Sequence, residues 1–166
     1  MIFVTVGTHE QPFNRLIKKV DELVADGTIT EQVVMQTGFS TYVPKYCEWH
    51  KMLSYDEMKH YIDEARIVIT HGGPASFIEV LQAGKIPVVV PRLKKFNEHI
   101  NDHQEEFAQI VEKRMDNIIP VFDIDNLKSI LLNFDKVSKT KEQTGFKNNL
   151  KFNEMLDRIV YKLFEH

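Results

Sequence analysis

A single cysteine, Cys47, is all the thiol in this 166-residue chain. It makes no internal disulfide and no cysteine-ligated zinc site, which fits a reducing compartment. Long apolar runs are missing as well. No stretch reaches the roughly 18 uninterrupted apolar residues of a membrane span. Charge is nearly balanced: 21 Lys and Arg face 24 Asp and Glu, net −3, so the basic face that attracts nucleic acid is not expected. The opening, Met1 to Gly7, has neither a basic leader nor a cleavage site and reads as a first strand. A cytoplasmic location is therefore expected. Glycine is scarce and fits neither standard nucleotide loop. Gly7 stands alone where G-x-G-x-x-G needs three glycines, and no G-K-[ST] follows it. NAD, FAD and ATP hydrolysis by those routes are not expected.

What is present suffices for one ordinary domain, because 43% of the residues are hydrophobic and can fill a core. The most informative stretch runs from Arg66 to Pro91. Ile67-Val68-Ile69 reads as a buried strand, His71-Gly72-Gly73-Pro74 as a turn, and the residues up to Gly84 as a helix. Ile86 to Val90 is a second strand. Strand–loop–helix–strand units of this kind build parallel sheets.

The rest repeats the alternation. Ile2 to Val6 is the first strand, with a polar loop Gly7 to Gln11 after it. Pro12 suits the first turn of a helix whose apolar face is Phe13, Leu16, Ile17, Val20, Leu23 and Val24. Val33 to Gln36 is a strand, and Tyr46 to Met52 a weaker one. Ser54 and Glu57 form a capping-box pair ahead of Met58, Tyr61 and Ile62. A long polar loop from Arg92 to Asn101 precedes a helix over about 102–115, a short strand over 117–121 and a helix ending near Leu132. The expected fold is α/β: a doubly wound, Rossmann-like parallel sheet over residues 1–134, whose ligands sit beyond the carboxyl ends of the strands. Residues 135–149 read as a polar linker or loop. Residues 150–166 carry an apolar stripe at helical spacing, which suits either packing on the same domain or docking of a partner.

Chemistry concentrates in three places. Gly72-Gly73-Pro74-Ala75-Ser76 opens a helix, where backbone N–H groups and the helix dipole favour a phosphate or diphosphate. Its two glycines permit positive φ and close approach, and Ser76 has a hydroxyl to donate. Glu79, one turn on, has two readings of equal weight from spacing alone. It is either a ligand for the vicinal diol of a ribose or a capping-box partner of Ser76. Asn101-Asp102-His103-Gln104 opens another helix. Capping accounts for Asn101 or Asp102 but has no use for His103 and Gln104, which could grip sugar hydroxyls. Two metal motifs are set aside. Asp123-Ile124-Asp125 sits where an Asp cap is expected, and His99 and His103 straddle a helix start that points their rings apart. No metal and no other cofactor is expected.

Together, V-T-V-G-T-H-E-Q-P-F-N-R-L-I at 4–17, H-G-G-P-A-S-F-I-E-V-L-Q-A-G-K-I-P-V-V-V-P at 71–91 and N-D-H-Q at 101–104 resemble the glycosyltransferase family 28 C-terminal domain. The resemblance covers about residues 1–130. It extends to small bacterial proteins of capsular and exopolysaccharide clusters, described as the catalytic half of a β-1,4-galactosyltransferase. It extends also to the cytosolic half of the split enzyme that adds the second N-acetylglucosamine to dolichol-linked sugar. The resemblance implies the donor-binding half of a GT-B enzyme. It places Gly72, Gly73 and Ser76 near the diphosphate of a UDP-sugar and Glu79 at the uridine ribose, with His71 among the UDP-sugar-binding residues. Asn101, Asp102, His103 and Gln104 would lie near the donor sugar, and the loop Gly7, Thr8, His9 would face the cleft. The base-binding segment would fall at Leu53, Ser54 and Tyr55.

The expected function follows from the resemblance. A sugar, with galactose ahead of N-acetylglucosamine and glucuronate, passes from UDP-sugar to a lipid-linked acceptor. The transfer is inverting and metal-independent, UDP leaves against the N–H groups of Gly72 to Ala75, and His9 is the candidate base. No acceptor domain is expected in the chain itself. A membrane-anchored acceptor-binding subunit is the expected partner, and it would hold the protein at the inner face of the membrane. Two rivals remain: a non-catalytic subunit that binds UDP-sugar and activates its partner, and a UDP-sugar epimerase, which would need both halves in one chain.

Overall fold

The computed structural model describes residues 1–141, together with Glu154, Asp157, Arg158 and Tyr161. Apart from those four positions, the helix expected over 150–166 lies outside the described residues.

Among the described residues, six strands form one all-parallel sheet: β1 (Ile2–Thr5), β2 (Val33–Gln36), β3 (Glu48–His50), β4 (Ile67–His71), β5 (Val88–Val90) and β6 (Ile119–Pro120). Their spatial order is β3-β2-β1-β4-β5-β6. This is the doubly wound Rossmann order, which reverses direction between β1 and β4. The sheet is built from β-branched runs whose alternate side chains feed opposite faces, as the period of 2 requires. Ile2 and Val4, Val33 and Met35, Ile67 and Ile69, and Val88 and Val90 belong to one buried cluster. Phe3, Val34 and Val68 belong to a cluster on the other side.

Helices cover both faces. On the first face, α1 (Asn14–Ala25) buries Leu16, Ile17, Val20 and Leu23, joined by Leu127 and Leu131 of α5 (Leu127–Leu132) and Phe134 of α6 (Phe134–Lys139). On the second lie α2 (Tyr55–Glu64), α3 (Pro74–Gln82) and α4 (His103–Met115). Phe77 and Leu81 of α3 pack with Phe107, Ala108 and Val111 of α4.

Several boundaries differ from the sequence reading. Pro12 precedes α1, whose N-cap is Phe13. The weak strand contracts to Glu48–His50 at the sheet edge. The stretch read as linker from 135 opens instead with α6, because Phe134 is buried against the core and anchors a helical turn. The remainder of that stretch, from 142, lies outside the described residues. Ser54 and Glu57 do form the reciprocal capping box of α2. Asp123 does act as a cap, its Oδ1 accepting from the Asp125 N–H at 2.9 Å. Among the described residues no helix is long and apolar enough to cross a membrane.

Candidate functional site

Reversal of strand order between β1 and β4 leaves their following loops diverging to opposite faces, and a crevice opens between them. It has a volume of about 460 Å³. Gly7, Thr8 and His9 form one wall; Gly73, Pro74, Ala75, Ser76 and Glu79 form another. Thr5, Gln36 and His71, at the carboxyl ends of β1, β2 and β4, form the floor, and Leu53, Tyr55 and Met58 the far rim.

His71 organises the glycine-rich turn. Its imidazole is buried between two glycines: a Cβ placed on Gly7 or on Gly73 would collide with the ring. At Gly72 a Cβ would meet the Gln104 Cβ at 2.9 Å. These glycines make room for side chains. The positive φ expected of the Gly72-Gly73 pair is absent, since Gly73 has φ −68° and the positive-φ glycines are Gly7, Gly27, Gly38 and Gly84. The amides of the turn are also largely occupied. Gly72 N–H donates to Gln104 Oε1 at 3.0 Å and Gly73 N–H to His71 Nδ1 at 3.1 Å. Ser76 N–H reaches Gly73 O, and Pro74 has no N–H. Of the donors expected across Gly72 to Ala75, the turn leaves Ala75, which lines the crevice.

The tautomer of His71 follows from its partners. Gly73 N–H and Gln104 Nε2, at 3.3 Å, both point donors at Nδ1. Nδ1 is therefore the acceptor and Nε2 carries the proton. Nε2 lies 2.8 Å from Ser76 Oγ, so that oxygen accepts and the hydroxyl proton is left for a further acceptor. Burial, with Arg92 adding repulsion, brings the His71 pKa down to about 3, so the ring is neutral.

Glu79 lies beyond the first turn of α3, half-buried on the divide between this crevice and a groove of about 300 Å³ between α2 and α3. The N-cap of α3 is Gly73 and Ser76 is already inside the helix, so the capping-box reading of the Ser76–Glu79 pair does not hold. Among the described residues no hydrogen bond or ion pair engages the carboxylate, which can take a ligand.

The opposite wall is fastened by Arg92, a fully buried side chain that the sequence reading passed over. Its guanidinium donates to Val6 O at 2.6 Å, Gln11 O at 2.7 Å and Glu98 O at 3.0 Å, tying the β1 loop to the β5 loop. Burial brings its pKa down to about 10, opposed by Glu98 and Glu10, so it stays charged at neutral pH. Glu98, equally buried, accepts from Arg15 Nε and Nη2 and from Leu93 N–H. His9 stacks on His99 with ring centroids 4.5 Å apart. Burial, then the neighbouring His9 and Arg92, holds His99 below the ordinary histidine range, with an Asn101 hydrogen bond opposing.

The N-D-H-Q segment is divided by the fold. Asn101 Oδ1 accepts from His103 N–H, and Asp102 Oδ1 from Lys94 N–H. Neither they nor His103 line the crevice. Gln104 points inward: its Oε1 accepts from both Gly72 and Arg92 amides, binding the β4 and β5 loops together. Leu53 and Tyr55 line the rim, while Ser54 is committed to its cap. Thr5 and Gln36 were missed although a signal existed. They are polar residues closing apolar strand runs, paired in register, and Thr5 Oγ1 donates to Gln36 Oε1 at 3.1 Å.

Residues 1–159 match the family model described as "Glycosyltransferase family 28 C-terminal domain". The chain is 34% identical over 123 residues to the UDP-N-acetylglucosamine transferase subunit ALG13 of Mus musculus. It is 35% identical over 122 residues to that of Homo sapiens. The matches cover 67% and 68% of this chain and about a tenth of each relative's length. Among solved structures it resembles the glycotransferase of kitacinnamycin (TM-score 0.65, 18% identity, 98% of this chain and 43% of that one). It resembles also MurG of Acinetobacter baumannii (TM-score 0.56, 14% identity, 94% of this chain and 48% of that one). These likenesses establish the fold as one Rossmann-like half of a GT-B glycosyltransferase. With nearly its whole length matched, the chain belongs to the glycosyltransferase family 28 C-terminal domain family.

Proposed function

We propose that this chain is the donor-binding subunit of a glycosyltransferase that moves a sugar, galactose first, from a UDP-sugar to a lipid-linked acceptor in capsular or exopolysaccharide synthesis. The observation that carries the reading is on one wall of the crevice. The Ser76 hydroxyl proton, the Ala75 amide and the Glu79 carboxylate line up along the first turns of α3. That sequence of groups suits a diphosphate followed by a ribose. The hydroxyl and amide donate to phosphoryl oxygens beside the positive end of the helix dipole, and the carboxylate accepts from the 2′- and 3′-hydroxyls. Tyr55 and Leu53, on the rim beyond Glu79, would flank the uracil.

In the transfer the acceptor hydroxyl attacks the anomeric carbon with inversion and the bond to the diphosphate breaks. Negative charge grows on the leaving UDP, where preorganised donors give the largest stabilisation. His9, on the facing wall, is the base of the proposed mechanism. No metal is needed in this scheme. The acceptor side belongs to a membrane-anchored partner, which also keeps this protein peripheral at the inner face of the membrane. The 34–35% sequence identity to ALG13, a UDP-N-acetylglucosamine transferase subunit, supports a split enzyme. Isothermal titration tests the first step. UDP and UDP-galactose should bind with one site per chain in the presence of EDTA, and Glu79→Ala should abolish most of that affinity. Binding that requires manganese would overturn the metal-independent scheme, and the absence of UDP binding would overturn the function.

A further inference from the structure

We propose that Gln11 is the positioning residue of the candidate base: it fixes the His9 imidazole with the proton on Nε2, so that Nδ1 is the atom that accepts a proton. The inference rests on reading His9 as the base of the transfer. The logic needs only donors and acceptors. Gln11 Nε2 lies 3.1 Å from the carbonyl oxygen of Asn97, which accepts only, so the amide nitrogen must face it. The amide oxygen is then turned to His9, 2.8 Å from its Nε2. Two acceptors cannot share that contact, so His9 Nε2 carries the hydrogen and Nδ1 has the lone pair. Asn97 is itself held in the left-handed region at φ 58°, closing the short helical turn Lys94–Phe96. The anchor therefore stands on the β5 loop, which Arg92 clamps to the β1 loop through Gln11 O. Gln11 is bound at both its main chain and its side chain, and the ring it orients lines the crevice.

The surroundings suit the resulting charge. In the reaction the acceptor oxygen bonds to the anomeric carbon, and the anomeric C–O bond breaks with its electron pair leaving on UDP. The hydroxyl proton passes to Nδ1. Glu10 Oε2 lies 3.5 Å from that atom and would stabilise the imidazolium once formed. The groups that face His9 are otherwise cationic or neutral: His99 stacked on it, with His71 and Arg92 behind and His103 beyond His99. Among the described residues Gln11 is the acceptor that meets Nε2.

Long-range 1H–15N spectra of the labelled chain at about pH 8.5, two units above the ordinary imidazole pKa, read the tautomer directly. Wild type should show His9 as a single Nε2–H form. Gln11→Leu should admit a resolvable Nδ1–H fraction, and Gln11→Glu, which keeps an acceptor against Nε2, should restore the single form. A wild-type Nδ1–H ring, or a Gln11→Leu spectrum identical to wild type, would overturn the assignment whatever the role of His9. The catalytic consequence is read as UDP released from UDP-galactose with water as acceptor. Gln11→Leu should lower kcat roughly tenfold or more at unchanged KM, with recovery in Gln11→Glu. A His9→Ala variant that releases UDP at the wild-type rate would remove the base, and with it the catalytic meaning of Gln11, while the spectra still reported the tautomer.

Discussion

His71 Nε2 and Ser76 Oγ stand 2.8 Å apart across the turn between β4 and α3, and the proton of that bond belongs to the histidine. The serine oxygen accepts and its own hydrogen is directed elsewhere. A histidine locked neutral by burial thus converts a serine with two hydrogen-bonding roles into a dedicated donor on the crevice wall. Ser76→Ala should weaken UDP binding about tenfold, the worth of a hydrogen bond to a charged group. Calorimetry with an unchanged dissociation constant would separate Ser76 from the diphosphate.

Glu79 makes a sharper prediction, because its ligand is defined by a missing atom. If the carboxylate holds the ribose diol, Glu79→Ala should cost UDP about tenfold or more in affinity. The loss should be smaller for 2′-deoxy-UDP, which offers Glu79 only its 3′-hydroxyl. Equal losses for both nucleotides would place Glu79 away from the 2′-hydroxyl.

The neutral state of His71 has a consequence in acid. Its native pKa, about 3, lies below the ordinary 6.5. Between those values the unfolded chain binds a proton that the native ring refuses, so stability is full above about pH 6.5 and falls as pH descends toward 3. His99, shifted the same way, adds to the slope. Thermal melts from about pH 7.5 to 4.5 should show the midpoint dropping through this window. His71→Gln should be less stable throughout but flatter with pH; a parallel slope would assign the acid loss to other groups.

Arg92 is the fastening whose loss should be felt at a distance. Arg92→Met leaves the Val6, Gln11 and Glu98 carbonyls without their donor, and each buried unsatisfied group costs about 1–3 kcal/mol. A fall of about 3 kcal/mol or more in unfolding free energy is expected, measured by urea denaturation, together with weaker UDP binding. Arg92→Lys should recover only part of it, since one compact ammonium replaces the two guanidinium nitrogens, Nη1 and Nη2, that reach these carbonyls. Wild-type stability in Arg92→Met would mean the two loops hold by packing alone.

The sheet was legible because its code is local. Ile2–Thr5, Ile67–His71 and Val88–Val90 are β-branched runs set between turn residues, and their alternation with amphipathic segments implies parallel strands with crossover helices. The Ser54–Glu57 capping box was legible for the same reason, as both partners lie within one helical turn. The crevice and most of its walls followed, since a Rossmann-like order places ligands beyond the strand ends. The boundary at Phe134 was not legible. The polar composition after it reads as a loop, and it is the packing of Phe134, with Val137, against the core that goes with a helix there.

Residue order alone determined that this chain alternates strand and helix, that Gly72 to Ser76 opens a helix at a strand end, and that Glu79 follows one turn later. These are consequences of spacing, which covalent connection fixes. Tertiary structure decided what those residues do. It showed that Gly7 and Gly73 are small to admit the His71 ring, that Gln104 binds two loops together, and that Arg92, Glu98 and Gln11 hold the β1 and β5 loops together. Each of those contacts depends on distance in space, and most join residues far apart in the chain, where sequence separation records nothing of a hydrogen bond or a steric contact.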